Sequence, residues 1–163
     1  MRHDDLPRVM EALKPPIATF VRESRVRIVL LISGSGQVLA QHGFTRSYEV
    51  MNVASLAAAA HASAGALAEM SGVPRWKHLH HAGQERQLFL APIRTPVGEL
   101  ILVAIFDKES SLGIVQLFFE QLGNTIRLLP EFQQRDGALP TAATFERDLE
   151  AGLNRVLPEA GEA

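Results

Sequence analysis

The chain has 163 residues, 47% hydrophobic and 21% charged, with a net charge of −2. That balance fits one globular domain with an extension, and it offers no basic footprint for nucleic acid or an acidic membrane. The lack of cysteine excludes a disulfide scaffold, a thiol nucleophile and thiolate metal sites.

The start, Met-Arg-His-Asp-Asp, is charged and has no apolar run of the signal-peptide kind, so the expected location is cytoplasmic. Leu6, Val9, Met10 and Leu13 keep helical spacing, and Ile17, Phe20 and Val21 continue it. Pro15-Pro16 interrupts that stripe, so two short helical pieces are predicted, the second opening at the prolines. Residues 25–33 are β-branched and continuously apolar after Arg27, as in a central strand covered on both faces. Gly34-Ser35-Gly36 predicts a hairpin turn into a partner strand at 37–42, and 43–48 a connecting loop.

Residues 50–70 carry no charge between Glu49 and Glu69 and are rich in alanine, the best helix former. Val53, Leu56, Ala60, Ser63, Leu67 and Met70 form one stripe on this helix. The opposite face holds Ala54, Ala58, His61, Ala62 and Gly65, small or neutral where a surface helix would carry charge. Such a helix should be buried all round. One face lies on the domain's own core, and the small-residue face is left for a partner, most simply a second copy. The segment is long enough to raise the question of a membrane span, but alanine, Asn52 and His61 make it too weakly hydrophobic for insertion.

Ser71-Gly72-Val73-Pro74 stops the helix. Residues 75–82 are a polar strand candidate with Trp76, His78 and His80 on one face, suited to a sheet edge. Trp76 and His78 therefore join the self-association surface of Ala54, Ala58, His61, Ala62 and Gly65. Residues 86–93 make the next strand, with Pro92 expected at an end or bulge, and 99–106 make a second fully apolar strand. Ser110 or Ser111 caps a helix whose stripe is Val115, Phe118, Phe119, Leu122, Ile126 and Leu129. Residues 133–139 are a polar linker, and Phe145, Leu149, Leu153 and Val156 define an amphipathic tail helix able to catch a partner. The predicted order is α-β-β-α-β-β-β-α plus a C-terminal helix. It is an α+β fold (α/β in the broad sense) with a five-stranded antiparallel sheet between helices. The two apolar strands should sit adjacent at its centre. Residues 1–132 form the domain and 133–163 the linker and tail.

No constellation carries catalysis. His78 and His80 share a strand face, yet no third ligand accompanies them, so exposed edge histidines are the stronger reading than a metal site. His61 reads as a hydrogen-bonded interface histidine. Gly34-Ser35-Gly36 precedes a strand rather than a helix, which removes the phosphate-loop reading. There is no Gly-x-Ser-x-Gly motif, and no paired carboxylate sits in an apolar run. Arg46, Arg75, Arg86 and Arg94 fall in loops or at strand ends as solvated arginines. Neither an enzyme nor a cofactor is expected.

Three blocks resemble the roadblock family of dynein light-chain relatives. They are the hairpin Ile28-Val-Leu-Leu-Ile-Ser-Gly-Ser-Gly-Gln-Val-Leu-Ala40, the small-residue helix ending in Ser71-Gly72, and Leu100-Ile-Leu-Val-Ala-Ile-Phe-Asp107 followed by Ser110-Ser-Leu-Gly113. A bacterial chain with a C-terminal extension is most similar to the gliding-motility branch of that family. The resemblance implies a homodimer built by the second helix and the edge strand. It also implies binding to a Ras-like small GTPase of the MglA type and promotion of its GTP hydrolysis, in cell polarity or gliding motility. Such an activator remodels the GTPase's own loops, in keeping with a chain that has no active site. Arg46 and Tyr48, at the start of the alanine-rich helix, and Phe145 and Leu149 in the tail are the candidate partner-binding residues. The alternatives are a scaffold dimer for a multiprotein complex and, last, a small-molecule sensor domain.

Overall fold

The computed structural model describes residues 5–133, apart from the side chains of Ser47 and Tyr48. The expected linker and tail helix, with Phe145 and Leu149, lie outside the described residues. The elements are α1 Leu6–Ser24, β1 Ile28–Ser33, β2 Val38–His42, α2 Ser47–Met70, β3 Leu79–Ala82, β4 Gln87–Thr95, β5 Gly98–Phe106, α3 Leu112–Leu128 and the short α4 Pro130–Gln133. The sheet runs β2-β1-β5-β4-β3 with every neighbouring pair antiparallel. From α1 to α3 the expected order of elements is the one observed, with the two apolar strands β1 and β5 side by side and the polar strand β3 at an edge.

Helix α1 is one helix of 19 residues rather than two pieces. An interior proline costs about 3 kcal/mol in a helix. Against this, Val9, Leu13, Ile17 and Phe20 form one buried stripe running past both prolines. Burying each is worth roughly 1.5–3 kcal/mol, so the stripe outweighs the interruption. Pro15 is exposed and Pro16 half-buried beside the stripe. Arg25 ends the helix with φ 55°, its N–H bonded to Val21 O, so β1 starts three residues later than the apolar run suggested.

The strands alternate between two cores. Val29, Leu31, Phe89, Leu102, Ala104 and Phe106 face α1 and α3. Leu30, Ile32, Leu90, Ile101 and Val103 face α2. A bulge at Leu39 shifts the β1–β2 register, since Leu31 pairs with Ala40 but Ile32 with Val38. Pro92, expected at a strand end or bulge, sits inside β4 in regular register, buried and opposite Ile101. The reason lies on the other side of β4. There β3 ends opposite Leu90, so Pro92 has no second neighbour that needs an N–H.

Ser111 caps α3, its side chain accepting from Ile114 N at 3.3 Å. The helix ends at Leu129, held extended ahead of Pro130. Val115, Leu122 and Ile126 are buried and Phe118, Phe119 and Leu129 pack against them, which is the predicted stripe.

Candidate functional site

Helix α2 lies on the sheet by its small residues. Val50, Ala54 and Ala57 are its buried positions and belong to the core that includes Leu30, Ile32 and Val103. Small side chains let the helix backbone approach the strands closely. Ala58, half-buried, faces the β1–β2 turn, where a Cβ built on Gly36 would meet its Cβ at 3.5 Å. Gly36 holds φ 86° there, a left-handed turn that favours glycine.

The helix's large side chains point the other way. Leu56, Leu67 and Met70 are 71%, 66% and 87% exposed, with Met51 also exposed and Ala60 and Ser63 exposed between them. They belong to the stripe expected on the chain's own core, of which Val53 packs there while Leu56, Ala60, Ser63, Leu67 and Met70 face outward. At 1.5 Å per residue, Leu56 to Met70 spans about 21 Å. An exposed row of large apolar side chains over that length is a candidate interaction surface. By length and composition Glu49–Met70 could also cross a membrane, with 17% of that window buried in the fold.

The predicted self-association residues are thus divided. Ala54 and Ala58 are used inside the chain, while Ala62 and Gly65 are exposed beside the stripe. His61 and Trp76 meet beneath the helix, ring centroids 5.1 Å apart and edge-on. His61 Nε2 donates to Glu99 Oε1 at 2.6 Å, and Glu99 Oε2 accepts from Arg94 Nε at 3.1 Å. His61 Nδ1 is buried with no partner among the described residues. Trp76 lies ahead of β3, which is shorter than expected, and it packs on the α2 side of the sheet. His78 goes to the opposite side, stacked on Phe89 at 5.4 Å and reached by the Gln116 amide at 3.0 Å. His80 joins it there, stacked on Phe106 and donating to Gln87 Oε1 at 2.8 Å. No group of three metal-ligating side chains occurs among the described residues.

All four β3 residues are exposed, and among the described residues β3 pairs with β4 alone, which leaves its outer edge as the open edge of the described sheet. Arg46 is exposed at the N-cap of α2 in an extended conformation. The large residues of the α2 stripe and the pair Arg94–Glu99 escaped assignment to a site from sequence. A signal for the stripe existed, because Val50, Ala54, Ala57 and His61 also repeat at helical steps and are small enough for close approach to a sheet.

A five-stranded antiparallel sheet with α2 on one face and α1, α3 and the short α4 on the other is a roadblock-type architecture. The Roadblock/LC7 domain model matches residues 17–106, more than half of the chain, and the chain belongs to that family. Among solved structures it is similar to the gliding protein MglB of Thermus thermophilus, at 26% identity over 72% of this chain and 87% of that one, with a TM-score of 0.62. It is similar in fold to Myxococcus xanthus MglB, at 24% identity over 71% and 91% of the two chains, TM-score 0.63. An MglB with a tetrameric arrangement matches at 25% identity over 78% and 90%, TM-score 0.60. No curated protein matches the chain.

Proposed function

We propose that this chain is a homodimeric regulator that binds a Ras-like small GTPase of the MglA type and promotes its GTP hydrolysis, in cell polarity or gliding motility. The observation that carries the reading is the outward stripe Leu56, Leu67 and Met70 on a helix whose sheet side is already filled by small residues. Such a stripe needs a cover. A second copy, pairing β3 edges into one continuous sheet, covers both the stripe and the unpaired strand edge. The family and the likeness to MglB structures support a regulatory role of this kind. Arg46, Tyr48 and the tail residues Phe145 and Leu149 are then the surfaces offered to the GTPase, which the dimer meets in the cytoplasm.

Hydrolysis is promoted by repositioning the GTPase's own loops, in keeping with a sequence that holds no catalytic constellation. The test is phosphate release from the GTP-loaded cognate GTPase with and without this protein, beside a measurement of complex formation. An accelerated release is expected. A stable complex with an unchanged rate would replace the activator reading with the scaffold one, and no complex would remove both.

A further inference from the structure

The C-terminal half of α2, the connector to β3 and the turn end of the β4–β5 hairpin enclose a cleft of about 530 Å3. Its polar side is unevenly satisfied. Glu99 is used twice, by His61 and by Arg94. Arg94 uses its Nε on that bond, which leaves its terminal nitrogens for another acceptor. Arg75, on the same lining, makes no hydrogen bond or ion pair with the described residues. His61 is committed to Glu99 through Nε2, and its Nδ1 is buried without a partner among the described residues. Half-buried Trp76 supplies a flat wall.

Gly65 lines the cleft from the helix side. A mid-helix glycine costs roughly 0.5–1 kcal/mol against alanine. Close packing within the chain does not demand it, because a Cβ built there meets nothing within 4 Å. Glycine there adds no side chain to the cleft lining.

We propose that this cleft binds a small ligand bearing an oxyanion, carboxylate or phosphate. The anion is held between the guanidinium groups of Arg75 and Arg94, with a flat or apolar body against Trp76. Guanidinium forks match both oxyanions in geometry. The Glu69 carboxylate at the lining has no partner among the described residues, and its charge opposes the anion. The proposal does not rest on the GTPase reading, and its test contains no GTPase.

Trp76 is the only tryptophan of the chain, so its emission reports on the cleft directly. The full chain is titrated with pyrophosphate and with citrate at constant ionic strength, read by Trp76 fluorescence and by calorimetry, with light scattering alongside to follow oligomeric state. Saturable binding of at least one probe below about 1 mM is expected. A response to pyrophosphate alone identifies a phosphoryl ligand, a response to citrate alone a carboxylate, and either supports the site. Arg75→Ala should weaken binding about tenfold or more. Glu69→Gln should strengthen it, and Gly65→Leu should abolish it by filling the space. Arg127→Ala, a lost charge on the other side of the sheet, should leave it unchanged. Each variant is checked by its thermal melt, and Arg75→Gln replaces any Arg75→Ala protein that melts early. No saturable signal, a signal that survives loss of the Arg75 charge, or weaker binding in Glu69→Gln overturns the proposal. So does a signal that follows only a change in light scattering.

Discussion

Asp107 follows the last residue of β5, and its carboxylate accepts the Glu109 backbone N–H at 2.9 Å and Arg27 Nε at 2.8 Å. These bonds favour the ionised form, the backbone bond first and the Arg27 side chain next, so the carboxyl titrates below its ordinary value of 3.8. A folded-state value below the unfolded one means a contribution that is fully present above the ordinary value and is lost as pH falls through the lower one. Asp107→Asn should therefore lower the melting temperature at neutral pH and flatten its acid decline below about pH 4. Thermal melts of both proteins across that range check this, and parallel acid limbs would show that the bonds are not formed in solution. His61 illustrates how far single residues were legible. Its setting among alanines implied a hydrogen-bonded interface histidine, and the bond it makes is to Glu99 of its own chain. Its partner Glu99 lies 38 residues away, a distance over which no spacing rule operates. Arg75 and Arg94 are exposed, as expected, but only the fold brings the connector and the hairpin end that carry them to one cleft.

At the level of elements, α2 is where sequence reasoning and structure part most clearly. Two stripes on that helix repeat with helical spacing, and hydrophobicity alone assigns the bulkier one to the core. Contact distance decides otherwise, because a helix lying close on a flat sheet accepts Val50, Ala54 and Ala57 and turns Leu56, Leu67 and Met70 outward. The consequence is a separation of two kinds of variant. Leu56→Glu combined with Leu67→Glu should leave the monomer folded and raise the dimer dissociation constant by about 100-fold or more, since two carboxylates would be desolvated without partners. Ala58→Glu should instead destabilise the monomer, because it drives a charge against Gly36 in the chain's own turn. Light scattering and thermal melts of the two variants distinguish these outcomes. An intact dimer in the double variant would remove the stripe from the interface. The Pro15-Pro16 pair was misread for a related reason: local propensity predicts a break, and a stripe of four buried side chains overrides it.

For the molecule as a whole, the expected dimer links folding to association. A subunit whose main apolar stripe is covered only by its twin should gain apparent stability by mass action. The melting temperature of the intact chain should rise with protein concentration over a hundredfold range, and a value independent of concentration would argue for a monomer. Much of the architecture was legible beforehand. Alternation and continuous apolar runs located β1 and β5, turn residues located the hairpins, and Ser111 with the Val115 stripe located α3. These signals are local, arising within one turn of helix or one pair of strands, and a sequence records them directly. The order of the elements follows from them, and the resemblance of three blocks pointed to the family. What only the tertiary structure decided are the long-range matters: which face of the alanine-rich helix lies inward, the continuation of α1 through its prolines, and the cleft where His61, Trp76, Arg94 and Glu99 converge. Those depend on the distance between a helix and a sheet, and that distance is set by every side chain packed between them.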